Sequence, residues 1–406
     1  MEITASEDRD VVIVGGGICG LATALALHRK GIRSLVLERS GDFRIEGAGI
    51  GILTNGWRAL DQLGVGSKLR QTSIRLHGVR DIWLESGKQR QSPLSRGESR
   101  FLKRSDLIKT LADEIPPATI RFGCHIRSVE MDTLTSYPIL QLHDGSTLRA
   151  KVLIGCDGAH SVVAEFLELK PKKIFATNAV RGFTYCPNGH GYASEFVRMR
   201  TRQALLGRIP VNDKLVGWFL VQQAGYPHAD TEIAKDPELI RQQTLKRIMG
   251  CPAEMIELVK NCDLSSLSLT HLRYRAPWDI LQGRFREGTI TVAGDAMHVM
   301  GPFLGQGGSA GIEDAIVLAR CLAPKLKEYD SVVSGKEMMV QKVLAEALDE
   351  YLKERRMRLF WLSTQTYLTG SLLDTSSLLA KLIILVLMAV LFRDPTWHTK
   401  YDCGNL

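Results

Sequence analysis

The sequence predicts an α/β fold in which a parallel sheet of the Rossmann type is flanked by helices. Three apolar, β-branched runs, at residues 10–14, 152–154 and 290–293, have the composition of buried parallel strands. A glycine-rich or acidic turn follows each run. The first and third turns lead into apolar sequence that is compatible with a helix. Strand, turn and helix therefore recur in the order that this fold class requires.

Length and composition set the broad class of protein. The chain has 406 residues, more than a single hydrophobic core usually supports, so we expect at least two substructures. It is 45% hydrophobic and 24% charged, as in ordinary globular proteins. The net charge of +8 is spread thinly, and no basic stripe is interleaved with aromatic residues, so we expect no nucleic-acid binding. A basic balance favours anionic ligands.

Cysteine usage and the N-terminal sequence bear on the compartment. The eight cysteines are scattered, without a Cys-x-x-Cys pair or the Cys/His spacing of a zinc site, so we expect buried small hydrophobes and no metal. Residues 1–10 are acidic and lack an apolar signal core. Both observations favour the cytosol.

The first turn carries a dinucleotide fingerprint. Gly15, Gly17 and Gly20 follow the first strand in the pattern Gly-x-Gly-x-x-Gly and precede an apolar helix. The first glycine permits a tight turn, the second lets the backbone approach a pyrophosphate, and the third lets helix and strand pack closely. The N-terminus of the helix then directs its N–H groups at the phosphates.

An acidic residue completes this site. A second strand, residues 34–37, ends at Glu38, which lies 18 residues beyond Gly20. A carboxylate there accepts hydrogen bonds from both hydroxyls of an adenosine ribose. The pattern therefore favours FAD or NAD over a nucleotide with a 2′-phosphate.

Two further motifs identify a family. Residues 152–161 run from a strand into a turn with Asp157 and Gly158, and residues 290–315 give a strand, Asp295, a glycine-rich loop and a helix. In this order and spacing the three motifs resemble the class A flavoprotein monooxygenases, the family of para-hydroxybenzoate and salicylate hydroxylases. The resemblance extends to about residue 360, and the sequence flanking the motifs is most similar to plant members.

The resemblance implies a Rossmann-like FAD-binding domain of the para-hydroxybenzoate hydroxylase type, an antiparallel-sheet substrate domain and C-terminal helices. It also implies the cofactor-binding residues, from the ADP half to the pyrimidine edge of the flavin: Gly15, Gly17, Gly20, Glu38, Arg39, Arg104, Asp157, Gly158, Asp295, Gly305, Gly307, Gly308 and Ser309. Two positions depart from the family pattern. Ala164 replaces an arginine associated with NAD(P)H, and Ser309 replaces an asparagine.

The resemblance further implies a reaction. The chain has one dinucleotide fingerprint, so FAD is the bound cofactor and NADPH or NADH is a transient co-substrate. Such an enzyme hydroxylates a small, aromatic substrate with O2 through a flavin C4a-hydroperoxide. His298 and Pro302 are expected nearest the reacting face of the flavin, with a structural role for His298 equally open. Arg181, Tyr185 and Trp218 are candidate pocket residues, with sheet packing as the alternative for each.

The predicted domains are discontinuous. The FAD-binding domain comprises residues 1–75, 100–170 and 285–345, and the substrate domain comprises 76–99 and 171–284. Residues 346–406 form a helical region, with a long charged helix over 340–366.

An apolar segment near the C-terminus, residues 382–392, is too short to span a bilayer. We interpret it as a helix buried against the FAD-binding domain or a partner subunit. The alternative is a peripheral membrane contact, with Lys381 and Arg393 at its boundaries. The chain is expected to be a monomer or a homodimer.

Other functions remain open at this point. An isoprenoid epoxidase has the same cofactor requirement, and a reductase or dehydrogenase of this fold would consume no oxygen. A flavin-binding regulatory protein without turnover is favoured only by Ala164. A halogenase is not expected, since the Trp-x-Trp-x-Ile-Pro signature is absent.

Overall fold

A computed structural model describes residues 7–43, 49–94, 97–202, 204–223, 232–331, 337–394 and 396–406. Residues 1–6, on which the cytosolic expectation partly rests, lie outside this description. The strands are β1 (Glu7–Val14), β2 (Leu35–Leu37), β3 (Gly49–Ile52), β4 (Gly78–Trp83), β5 (Gln89–Pro93), β6 (Arg100–Lys103), β7 (Ile120–Arg121), β8 (Ile126–Met131), β9 (Pro138–Leu142), β10 (Thr147–Gly155), β11 (Lys173–Tyr185), β12 (Glu195–Arg200), β13 (Ala204–Asn212), β14 (Leu215–Gln223), β15 (Ser268–Tyr274), β16 (Arg286–Glu287) and β17 (Ile290–Val292). The α-helices are α1 (Ile18–Arg29), α2 (Thr54–Gln62), α3 (Gly66–Gln71), α4 (Arg104–Ala112), α5 (Val162–Phe166), α6 (Pro237–Arg247), α7 (Ala253–Lys260), α8 (Pro277–Gln282), α9 (Asp295–His298), α10 (Gly307–Ser331), α11 (Glu337–Asp374) and α12 (Leu378–Leu391).

The first sheet places the three motif strands side by side. Its order is β16-β17-β10-β1-β2-β7, and β9 and β8 extend it from β10. β17, β10, β1, β2 and β7 pair in parallel, while β16, β9 and β8 pair antiparallel. Because parallel strands end at the same edge of a sheet, the turns after β1, β10 and β17 meet there. The predicted α/β fold is confirmed.

Helix α1 packs on this sheet, and α10 packs on α1 to complete the core. Residues 11–13 of β1 and residues 315–319 of α10 are fully buried, as their continuous apolar sequence requires. All eight cysteines are free thiols. Cys124, Cys156, Cys262 and Cys403 are buried as expected, whereas the other four are half-buried.

The second sheet has the order β15-β11-β14-β13-β12-β4-β5. Its strands pair antiparallel, except that β12 pairs with β4 in parallel. Helices α6 and α7 cover one face, where Val180 and Trp218 share a core with Ile240 and Met255. Ala179 and Phe183 belong to separate clusters on the other face. Strand alternation therefore decides which residues of β11 face the first domain.

The C-terminal helices differ in their environment. The predicted long charged helix is α11, which has 38 residues. Helix α12 has 14 residues, none of them buried. The interpretation of this segment as a helix buried against the FAD-binding domain is therefore wrong. An apolar run predicts a helix, but not how much surface the rest of the chain provides to cover it. Within the described residues, no helix combines the length and apolar content needed to cross a bilayer.

Candidate active site

The glycine fingerprint forms a turn that is closed toward the protein and open on its other side. Gly15 has φ +104°, and a Cβ there would lie 2.6 Å from the Cys156 carbonyl oxygen. A Cβ on Gly20 would collide with the Gly15 carbonyl oxygen. A Cβ on Gly17 would meet no protein atom within 4 Å. The space beside Gly17 and the N-terminus of α1 together suit a phosphate group.

Glu38 is buried at the end of β2 and held by the backbone. The Gly16 N–H donates to Oε2 at 2.7 Å, and the Ser40 N–H donates to Oε1 at 2.9 Å. The carboxylate is thereby fixed against the glycine turn, where a ribose attached to a bound pyrophosphate would lie. Arg39 follows it and is exposed.

Asp157 stabilises the turn after β10. Its Oδ2 accepts a hydrogen bond from the Val162 N–H at 2.7 Å, at the start of α5. Burial raises the pKa of Asp157, and Gly158 has φ +80°. Ala164, where the family pattern has arginine, is buried in α5, and its N–H donates to Ser161 Oγ. This position contributes no cation to the surface.

A cationic cluster lies beside this turn, and the sequence analysis missed it. His160 Nδ1 is 3.0 Å from Lys172 Nζ, and His160 Nε2 is 3.1 Å from Arg273 Nη1. Burial, followed by the charges of Lys172, Arg273 and Arg39, lowers the pKa of His160. Among the described residues, no carboxylate forms an ion pair with Lys172 or Arg273. The basic run at residues 170–173 was the available signal, but its partners come from distant segments.

Asp295 follows β17, and the N-terminus of α10 lies beside it. The resemblance to the family places the flavin at this position. Asp295 is exposed to the cleft, and its Oδ1 would be 4.0 Å from a Cβ on Gly307. Desolvation by the surrounding protein raises the pKa of Asp295. Electrostatic attraction from His298 and Arg104 partly opposes this rise. Arg104 begins α4.

The glycine-rich loop turns into α10 beside this carboxylate. Pro302 is exposed at the start of the loop, and Gly305 is left-handed with φ +62°. Gly308 packs so closely on Ile50 that a Cβ would collide with it. The first N–H groups of a helix have no acceptor within it, so α10 directs free donors and a positive dipole end at the cleft. The buried Ser309 Oγ also has no hydrogen-bond partner in the described structure.

His298 lies beneath this loop. It is fully buried, and its Nε2 is 2.6 Å from Asp314 Oδ2. The Gly294 N–H donates to the same oxygen at 2.9 Å, and Arg355 Nε donates to Asp314 Oδ1 at 2.7 Å. Of the two roles left open for His298, this position favours the structural one, because the imidazole contacts the interior of the protein.

A second buried group anchors the loop from below. The Asn55 side-chain amide donates to Gln306 Oε1 at 2.8 Å and to Glu313 Oε1 at 2.6 Å. Arg355 donates to Glu313 Oε2 at 2.8 Å. These residues escaped the sequence analysis, although adjacent acids at 313–314 in an apolar helix are a signal of buried ion pairs.

Arg181 is the one pocket candidate from the second sheet that faces the first domain. It shares a face of β11 with Ala179 and Phe183, whose clusters include Phe303 of the glycine-rich loop and Phe101 of β6. Its Nη1 donates to Thr270 Oγ1 at 3.1 Å. Desolvation lowers the pKa of Arg181, and no described carboxylate forms an ion pair with it.

The other two pocket candidates lie elsewhere. Trp218 is packed under α6 and α7, and its Nε1 donates to Thr184 Oγ1 at 3.2 Å. Tyr185 is 58% exposed at the end of β11. The expectation that they line the pocket is not met. Trp218 pairs with Gly182 on the neighbouring strand, so its side chain points to the face of the sheet that α6 and α7 cover. Arg181 points to the opposite face.

The groups assembled at this edge of the first sheet fit FAD. The open space at Gly17 suits a pyrophosphate, Glu38 a ribose, and Asp295 a ribityl hydroxyl. The N-terminus of α10 suits the electron-rich edge of a flavin. The Ser309 hydroxyl does not reach this edge, because it is fully buried against Gly56.

Known proteins support this assignment. The model of the FAD binding domain family matches residues 8–332. Monooxygenase 1 of Arabidopsis thaliana is 53% identical over 403 residues, covering 98% of this chain and all of that protein. Monooxygenase 2 of the same plant is 35% identical over 406 residues, with 98% of each chain covered.

A solved structure shares the fold at low identity. HpxO of Klebsiella pneumoniae, complexed with FAD and uric acid, superposes with a TM-score of 0.76 at 20% identity. The match covers 96% of this chain and 94% of that one. Together, the site and the comparisons show that this chain belongs to the FAD-binding class A flavoprotein monooxygenases.

Proposed function

We propose that the protein hydroxylates a small, acidic aromatic compound with NADPH or NADH and molecular oxygen. The observation that carries this proposal is the position of Arg181. It is a desolvated cation on the face of the second sheet that is directed at the glycine-rich loop. Arg181 is half-buried and has no anionic partner among the described residues, so a carboxylate or another acidic group of a substrate would compensate its desolvation. The uric acid bound by HpxO is a small acidic ring compound of this kind.

The cationic cluster supports use of a nicotinamide dinucleotide. Lys172 and Arg273 flank His160 and have no acidic partner among the described residues. The lowered pKa of His160 keeps its imidazole neutral near pH 7, which limits repulsion within the cluster. Phosphates of NADPH or NADH would supply the missing negative charge. The cluster would thus take over the role of the arginine that the family pattern has at the position of Ala164.

The chain's own groups then have distinct tasks. Bound FAD would supply hydride acceptance and oxygen activation. The N-terminus of α10 would stabilise negative charge at the pyrimidine edge, because the free N–H groups and positive dipole end of a helix N-terminus attract an anion. Phe101, Phe183 and Phe303 would keep water from the reacting region. Arg181 would orient the substrate.

The decisive experiment follows NADPH and NADH oxidation by the FAD-loaded protein in air, with oxygen and peroxide monitored together. The panel should contain aromatic acids, their uncharged amides and esters, phenols and isoprenoids. We expect acids to stimulate oxidation strongly, with oxygen consumed and little peroxide released. The matched amides test whether the negative charge is what the site recognises.

Other outcomes separate the alternatives. Stimulation by isoprenoids alone would indicate an epoxidase, and oxidation of the nicotinamide without oxygen uptake would indicate a reductase. Stoichiometric FAD that neither nicotinamide reduces would indicate a flavin-binding protein without turnover.

The free state of all eight thiols suits the reducing cytosol, where we propose that the enzyme works.

A further inference from the structure

Helix α12 exposes an apolar surface on the outside of the molecule. Its large exposed side chains, between 41 and 83% accessible, are Leu378, Leu379, Leu382, Ile383, Leu385, Val386, Leu387, Val390 and Leu391. Contiguous apolar surface of this kind is rare on soluble monomers and indicates an interaction site.

Among the residues that the structure describes, only one narrow side of α12 is covered. Ala380, Ile384 and Met388 are half-buried and lie along one stripe of the helix, which packs on α11. Phe392 closes the end of the helix against Trp361, with ring centroids 6.0 Å apart. At 100° per residue, the exposed side chains cover about two-thirds of the circumference. The uncovered surface is therefore convex rather than a flat stripe.

Basic side chains lie nearest to this surface, and one aspartate lies beyond each end of it, Asp374 and Asp394. Lys381 is the only charged residue between positions 375 and 392, and Arg393 follows at the end. Arg393 is exposed. No acidic side chain interrupts the apolar sequence from 375 to 392, and Lys381 is half-buried within it. The flanking aspartates are engaged by other parts of the protein, because Asp374 accepts a hydrogen bond from the Ala176 N–H and Asp394 pairs with Lys400. Lys381 and Arg393 therefore leave a weakly cationic balance beside the apolar surface. This combination complements a lipid surface with anionic headgroups.

We propose that α12 lies in the interface of an anionic lipid bilayer, parallel to its plane, and attaches the protein to the membrane. Its 14 residues span about 21 Å along the surface. Acyl chains can surround a protruding helix, whereas the same helix of a second copy would cover only one stripe of it. This attachment goes beyond the proposed reaction and does not depend on it.

The test is flotation of the FAD-loaded full-length protein with vesicles. One set consists of phosphatidylcholine, and the other contains phosphatidylserine in addition. The main variant is Leu382→Glu/Val386→Glu/Val390→Glu, which places charges along the middle of the exposed face. The matched control is Leu134→Glu/Met249→Glu, two positions that are 93 and 74% exposed in other parts of the molecule. FAD content and circular dichroism verify that each variant is folded.

We expect the wild type and the control to float with the phosphatidylserine vesicles. The triple variant should lose more than about tenfold in partitioning, because each carboxylate must leave water. Lys381→Gln/Arg393→Gln should weaken binding to these vesicles by about fivefold per charge, with a smaller effect on neutral vesicles.

Two results would overturn the proposal. One is a folded wild type that floats with neither kind of vesicle, or a triple variant that floats as well as the control. The other is a dimer in sedimentation experiments without lipid that the triple variant abolishes while vesicle binding stays absent. That second result would assign the surface to contact between two copies.

Discussion

Arg181 is a cation whose surroundings, as far as the described residues go, provide a hydroxyl but no carboxylate. Its hydrogen bond to Thr270 satisfies one of five donors, and desolvation lowers its pKa. We predict that Arg181→Gln raises KM for an acidic substrate by roughly tenfold to a hundredfold, the cost of a charged hydrogen bond. Steady-state kinetics with aromatic acids and with their amides measure this change in KM.

The controls for this prediction use charge and position. Arg181→Lys should recover part of the effect, because it restores the charge without the bidentate geometry. Arg284→Gln removes a cation that is 74% exposed and should change nothing. An unchanged ratio of KM values between acid and amide in Arg181→Gln would exclude charge recognition by this residue.

Lys172 and Arg273 are two further cations without a carboxylate partner among the described residues. We predict that Lys172→Gln or Arg273→Gln raises KM for NADPH or NADH about tenfold, because each removes a charge-assisted contact to a phosphate. FAD content should stay the same, since neither Lys172 nor Arg273 contacts Glu38 or the glycine turn. Stopped-flow flavin reduction gives the nicotinamide affinity directly.

Lys170→Gln is the matched control for these variants. It belongs to the same basic run but is 65% exposed on its side chain and pairs with Asp279. Equal losses in Lys170→Gln and Lys172→Gln would indicate general attraction by the basic surface rather than a built site.

At the scale of secondary-structure elements, α10 and α11 are joined by buried ion pairs. Arg355 of α11 contacts Asp314 and Glu313 of α10 at 2.7 and 2.8 Å, and all three side chains are fully buried. We predict that Arg355→Met destabilises the protein by about 3 to 5 kcal/mol, because two buried carboxylates lose their cation. Denaturant unfolding of the FAD-loaded protein measures the change in free energy.

Lys353→Met provides the control on the same helix. Lys353 is exposed, so its replacement should change the free energy of unfolding by less than about 0.5 kcal/mol. If Arg355→Met costs no more than this control, the ion pairs contribute nothing net to the packing of α10 on α11.

For the whole molecule, the buried network predicts loss of stability in acid. Burial alone would raise the pKa of Asp314, but His298 and Arg355 outweigh it and lower this pKa to about 2. An unfolded aspartate titrates near pH ~4. The folded protein therefore resists protonation of Asp314, and the stabilisation, about 2 kcal/mol, is complete above pH ~4 and is lost as the pH falls toward ~2.

Urea unfolding at a series of pH values between about 6 and about 3 tests this dependence. The unfolding free energy of Asp314→Asn should be lower at neutral pH and should fall less steeply in acid than that of the wild type. Parallel pH profiles for the two proteins would show that Asp314 does not carry the dependence.

The sequence alone determined the strands, turns and glycines of the cofactor site. Gly15 and Gly20 are required by a positive φ and by close backbone contacts, and Glu38 follows at the end of the next strand. Such requirements act on consecutive residues, so a linear pattern is enough to reveal them. The same holds for α11, whose helical sequence is continuous.

Tertiary structure alone decided which distant residues meet and which surfaces stay open. His160 meets Arg273 across more than a hundred residues, and Trp218 faces α6 and α7 because of its register with β11. Helix α12 is apolar enough to be buried, yet in the described part of the chain it packs mainly on α11 and none of its residues is buried. Burial depends on the surface that remains after all elements have packed, and a local pattern does not contain that information.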